Sequence, residues 1–176
     1  NADAILLEQP ALSRIEEAER WFRRALEADP GFARAQAGLC QVAIVRYERT
    51  RATEHVHEAE AACRAALDAD PTLKETELAL GKLYLASGRH EQAEAVYRSL
   101  LRRMPRDADV RIGLGWALAR SSRPADAEQS FREAVVVEPA YWMSYNALGS
   151  FLFTVGRSGE AADAFVRVTE LAPGNP

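Results

Sequence analysis

Three histidines and two cysteines are the first residues of this 176-residue chain to weigh for chemistry. His55 and His57 form a His-x-His with Glu54 and Glu58 beside them. Neutral imidazoles and carboxylates are ligands for a divalent transition metal, and an imidazole can carry a proton near neutral pH. On a helix, however, residues two apart point to different sides, so a shared ion is disfavoured and solvated surface histidines are expected. His90 is expected to open a helix and face water. Cys40 and Cys63 are too few and too far apart for a disulfide framework or a zinc site, and are expected to be buried thiols. No glycine-rich phosphate loop, nucleophile elbow or His-Glu-x-x-His pair occurs in the sequence. The acidic residues are expected on helix exteriors, with no pair singled out by spacing. No catalytic residue, cofactor or metal is therefore expected, and the chain does not read as an enzyme.

Composition narrows the partners. Apolar residues make up 48% and charged residues 27%, a globular balance. No apolar run approaches the length of a membrane span, so no membrane contact is expected within this stretch. The formal net charge of -4 offers no concentrated basic face, which argues against nucleic acid. Of 22 basic residues only Lys74 and Lys82 are lysine; the arginine bias is read as coding from a GC-rich, bacterial genome. The chain opens with Asn1-Ala2, read as the remnant of a cleaved tag, so a fragment of a longer protein is expected. Two unpaired cysteines would favour a reducing cytoplasm.

The elements that must position any site come from an internal repeat. Pro30, Pro71, Pro105, Pro139 and Pro173 act as a ruler: the last three intervals are identical, and the first is longer by seven positions. Twelve residues before each stand Ala18, Ala59, Ala93, Ala127 and Ala161. Eight before stand Phe22, Cys63, Tyr97, Phe131 and Phe165. In the first half of each period, Leu39, Leu80, Leu114 and Leu148 align, followed by Cys40, Gly81, Gly115 and Gly149. Apolar residues recur at helical spacing, as in Ala93, Val96, Tyr97 and Leu100. Gly88 and Gly156 stand where a helix can end in a left-handed residue. Pro124 suits a first helical turn, and Ser13 with Glu16 fits a capping box opening the first helix. The small residues let paired helices approach closely. The seven extra residues of the long period are placed around Tyr47 to Val56 and shared between two helices. They form either a tolerated extension of a hairpin tip or a contact site.

This pattern resembles the tetratricopeptide repeat (TPR) family from Ser13 to Pro173. The resemblance implies an all-α fold, a right-handed superhelical solenoid of antiparallel helix hairpins. It divides the chain into a partial first repeat (13–32), a lengthened repeat (33–73) and regular repeats 74–107, 108–141 and 142–176, one array over 1–176. The early aromatic of the family pattern is Gln36, Glu77 and Arg111 here, and only Tyr145 fits.

In this family the first helix of each repeat lines a concave groove. Carried over by position, the groove residues are Arg34, Ala37, Gln41, Ile44 and Val45; Glu75, Leu78, Lys82, Leu85 and Ala86; Asp109, Ile112, Trp116, Ala119 and Arg120; Met143, Asn146, Ser150, Phe153 and Thr154. Arg34, Gln41, Lys82, Trp116, Arg120, Asn146 and Phe153 are the expected partner-binding set, since Trp and Arg are common anchors of interfaces. The alternative for Trp116 is packing against a neighbouring repeat. Lys82, Arg120 and Asn146 are the residue types of a carboxylate clamp, but Leu78, Ile112 and Ala37 interrupt that pattern. The expected function is a protein-interaction scaffold for a peptide or protein segment. The alternative is a regulatory or sensor segment of a larger bacterial signalling or assembly protein. An uncovered apolar end makes weak self-association an expectation.

Overall fold

Each apolar stripe of the sequence closes into a helix, and the glycines and prolines mark the breaks. The computed structural model describes residues 2–174, with side chains described for 14–174. Among the described residues the elements are α1 (Ala2–Ala28), α2 (Ala33–Thr50), α3 (Thr53–Ala69), α4 (Lys74–Ala86), α5 (His90–Arg103), α6 (Ala108–Arg120), α7 (Pro124–Val137), α8 (Trp142–Thr154) and α9 (Ser158–Leu171), with no strand. The all-α hairpin fold expected from the sequence is the fold observed. The chain forms two compact units, residues 1–87 and 88–176. In the first, α2 and α3 form a hairpin that packs against α1 and α4. In the second, hairpins α6–α7 and α8–α9 stack through α7 and α8, and α5 covers α6.

Local chemistry sets the boundaries. Gly88 and Gly156 take positive φ of 78° and 81°, as their spacing required. Midway between them in sequence, Ser122 adopts φ 58° without a glycine's freedom. Pro124 opens α7, and the Asp107 carboxylate caps α6 by accepting from Val110 N at 3.0 Å. The helix does not open at Ser13 as expected: α1 begins at Ala2 and runs through residue 13 without a break. A helix already propagating gains a hydrogen bond per added residue, so it has no reason to restart there.

Packing follows the small-residue positions. Ala59, Ala93, Ala127 and Ala161 are all buried. A side-chain carbon at Gly115 would lie 2.7 Å from the Phe131 ring, and one at Gly149 would lie 2.9 Å from Phe165. In both hairpins the missing Cβ is the space an aromatic ring occupies. Gly38 and Gly113 give the same room to Phe22 and Tyr97.

The long hairpin corrects the reading of the cysteines. Cys40 and Cys63 are both fully buried, as expected, but they are bonded to each other, with Cα atoms 4.9 Å apart. Sequence separation misled because the α2–α3 turn brings the two positions face to face. The premise of unpaired cysteines for a reducing cytoplasm is removed with it. Helix α2 has 18 residues against 13 in α6, and α3 has 17 against 14 in α7. With a connection one residue shorter, that accounts for the seven extra residues. The extension is docked: Tyr47 and Val56 are buried, and the Tyr47 hydroxyl donates to Ala86 O at 3.1 Å.

Glutamates and arginines are paired by spacing on the helix exteriors. Glu19–Arg23, Glu60–Arg64, Glu94–Arg98 and Glu128–Arg132 are ion pairs one helical turn apart, and the last three recur at the same interval as the prolines. Arg123, before α7, reaches back to Glu94 on α5 at 3.0 Å; Arg157, before α9, reaches Glu128 on α7 at 2.7 Å. The ladder stops at α9, where Ala162 and Val166 stand at the Glu and Arg positions.

Candidate functional site

The positions expected to face a partner lie on the first helix of each hairpin and on α4. In the first unit Arg34 and Gln41 are exposed on α2, and Ala37 and Val45 are half-buried. Ile44 departs from expectation. It is only 7% exposed and belongs to the core. Arg34 lies near Asp70, whose carboxyl is held below its usual range by hydrogen bonds from Thr72 and, to a smaller degree, by the Arg34 charge. On α4, Glu75 and Lys82 are exposed and Leu78 and Leu85 half-buried.

In the second unit Trp116 is half-buried, its ring edge-on to Phe131 at 5.0 Å, and Phe131 continues to Phe151 at 5.2 Å. The indole is therefore braced by its own hairpin while part of it faces out. One turn on, Arg120 is exposed and has no ion-pair partner among the described residues. Ser150 and Ala119 are half-buried. Asn146 and Phe153 stand seven residues apart on one face of α8, and Phe153 is 65% exposed. Met143 is exposed too; the Tyr141 hydroxyl touches its sulfur and donates to Asp109 Oδ1 at 2.7 Å. Burial first, then that carboxylate, pushes the Tyr141 phenol well above its ordinary value. The tyrosine thereby occupies the Asp109 carboxylate.

The seven expected residues stand apart from two clefts that the helices form within the units. In the first unit a cleft of about 400 Å³ opens between α1, α2 and α3, floored by Leu39, Val42, Ala43 and Ala62 and rimmed by Arg46 and Glu19, which pair with each other. A cleft of about 310 Å³ in the second unit, bordered by Tyr145, Leu148, Leu152 and Arg167, uses equivalent positions. Six of the expected residues are exposed on their helices, and Trp116 is half-buried.

The histidines give no centre. His55 Nδ1 lies 3.1 Å from Glu58 Oε2 and the ring is largely covered, not solvated as expected, while His57 is exposed. His90 does open α5, but its Nδ1 is buried without a hydrogen-bond partner among the described residues, so the ring does not simply face water. Among the described residues no group of three or more His, Cys, Asp or Glu could hold a metal ion, and no helix is long and apolar enough to cross a membrane.

Known proteins place this architecture. The sequence profile described as tetratricopeptide repeat matches residues 78–137 and 118–176. The chain belongs to the tetratricopeptide repeat family. A human relative, protein O-mannosyl-transferase TMTC2, is 31% identical over 97 residues, which is 53% of this chain and 12% of that protein. The TPR chain thus spans about an eighth of that relative's length. Among solved structures, TTC0263, a thermophilic TPR protein of Thermus thermophilus, superposes with a TM-score of 0.78 at 23% identity, over 96% of this chain and 89% of its own. Pseudomonas aeruginosa pilF gives 0.73 at 21%, over 97% and 73%. YrrB, a TPR protein with an unusual peptide-binding site, gives 0.60 at 19%, over 94% and 82%. These likenesses establish the fold, and TPR architecture is that of a protein-interaction scaffold.

Proposed function

We propose that this TPR chain is a non-enzymatic scaffold that takes a peptide or protein segment along its first-helix faces. Arg34, Gln41 and Lys82 would contribute in the first unit, and Trp116, Arg120, Asn146 and Phe153 in the second. One contrast carries the reading. On the second-helix faces arginines are held by glutamates four residues away, whereas Arg120 stands unpaired with Phe153 and Met143 exposed on the neighbouring α8. An exposed aromatic and a free guanidinium are the residue types that anchor interfaces. Exposed Val166, at a position where α5 and α7 carry arginine, supports the lesser expectation of weak self-association.

The test is capture of binding partners by the parent chain and by a Trp116→Ala/Arg120→Glu double variant whose helicity is unchanged by circular dichroism. A partner retained by the parent and lost by the variant is the expected result. Equal retention would place binding elsewhere and overturn the assignment of these faces.

A further inference from the structure

In hairpins α6–α7 and α8–α9 one contact recurs: a glycine on the first helix, Gly115 or Gly149, under an aromatic ring sixteen residues later, Phe131 or Phe165. Counted back from the helix-ending prolines and allowing for the seven inserted residues, Cys40 occupies the glycine position and Cys63 the aromatic position. Their separation of 23 is the sixteen-residue spacing plus the insertion. The long hairpin therefore has no ring at its centre. Tyr47 apart, the other buried apolar side chains of this hairpin are small or β-branched: Ala35, Val42, Ala43, Ile44, Val56, Ala59 and Ala66. Tyr47, the one aromatic of α2, is directed at Ala86 on α4.

We propose that the Cys40–Cys63 bond is the packing element of the α2–α3 hairpin, standing in for the glycine–aromatic contact of its sister hairpins, so that this hairpin closes fully only in the oxidised chain. The bond would form by thiol–disulfide exchange with a disulfide-bearing oxidant. One cysteine thiolate attacks the oxidant's sulfur and expels a thiol. The second thiolate displaces the oxidant's remaining sulfur from that mixed disulfide and closes the ring. Two protons leave the cysteines, and two electrons reduce the oxidant to two thiols. Both sulfurs are completely buried in the closed hairpin, so a reductant reaches them only after α2 and α3 part. Placement in an oxidising compartment follows from this role.

The experiment uses the whole chain, equilibrated with oxidised glutathione or with a phosphine reductant. Ellman's reagent should find no thiol in the denatured oxidised protein and two after reduction. Hydrogen exchange should show reduction loosening 33–69 while α6–α9 keep their protection. Closing a loop of this length favours the folded state by roughly two orders of magnitude, and exchange across the hairpin should quicken by about that factor. A Cys40→Gly/Cys63→Phe variant, which installs the sister contact, should recover protection and ignore the reductant. Two free thiols in the glutathione-treated protein, or unchanged exchange over 33–69 on reduction, would overturn the proposal. A glycine–phenylalanine variant that folds but stays as open as the reduced chain would overturn the equivalence of the two contacts.

Discussion

Ser122 offers a sharp test of the packing logic. It holds φ 58° at the turn between α6 and α7, where Gly88 and Gly156, one repeat away on either side, hold the same left-handed conformation. A left-handed backbone costs a residue with a Cβ about 1–2 kcal/mol. Glycine escapes that cost but loses about 0.5–1 kcal/mol more freedom on folding. Nothing else changes at this position. Ser122 is exposed, and the turn is held by backbone bonds, Ser122 N to Ala119 O at 3.3 Å and Arg123 N to Leu118 O at 3.0 Å, which glycine keeps. Ser122→Gly should therefore stabilise the second unit by about 0.5–1 kcal/mol, a rise in Tm of about 1–4 °C for a chain of this size. Gly156→Ser should cost a similar amount. Urea unfolding followed by tryptophan fluorescence reads the effect where it occurs, since Trp116 and Trp142 lie in the second unit and Trp21→Phe silences the first. If Ser122→Gly lowered the midpoint, the backbone strain assigned to this turn would be wrong. If Gly156→Ser left it unchanged, the equivalence of the turns would fall instead.

Three further outcomes follow from the same scaffold. Gly113→Ala gains about 1 kcal/mol of helix propensity but drives a methyl into the buried Tyr97 ring at a cost of about 1–3 kcal/mol, so a net loss of up to about 2 kcal/mol is expected by denaturant unfolding. Gly159→Ala, in the first turn of α9 with open space around it, should be neutral or mildly stabilising. Burial pushes the Tyr97 phenol well above its ordinary value near 10. The folded state thus prefers the neutral phenol; its contribution is complete below about pH 10 and is lost as pH climbs toward the folded value. Midpoints measured from pH 8 to 11 should fall above pH 10, and Tyr97→Phe should remove much of that fall.

The scaffold was legible because the residues that build it repeat. Alanine at one offset recurs in every hairpin, and an aromatic with a glycine opposite it in hairpins α6–α7 and α8–α9; the structure assigns each a packing reason: buried Ala93 and Ala127, or the Phe131 ring over Gly115. What escaped was pairing between positions. Cys40 was aligned with the glycines and Cys63 with the aromatics, and each fitted its own position as a small or apolar residue. Only the geometry of the hairpin shows that these two positions touch, and that two cysteines there can bond. The glutamate–arginine pairs escaped differently. Glu60, Glu94 and Glu128 are as regular as the alanines, but periodicity sought among apolar residues passes over charge.

The first-helix faces behave oppositely, and that difference supports the binding faces we propose. Equivalent positions there read Gln41, Lys82, Trp116 and Ser150, or Val45, Ala86, Arg120 and Thr154, with no residue type kept. Positions required by helix packing must answer the same steric demand in every hairpin, so they converge on one or two side chains. Positions facing outward answer only to what lies against them. A surface that changes from Gln to Lys to Trp along otherwise regular hairpins is what a partner contacted differently by each hairpin would require. By that reasoning the exposed Phe153 and the unpaired Arg120 are informative because nothing in the scaffold calls for them. Replacing either should leave the fold intact, whereas replacing Gly115 or Phe131 should not.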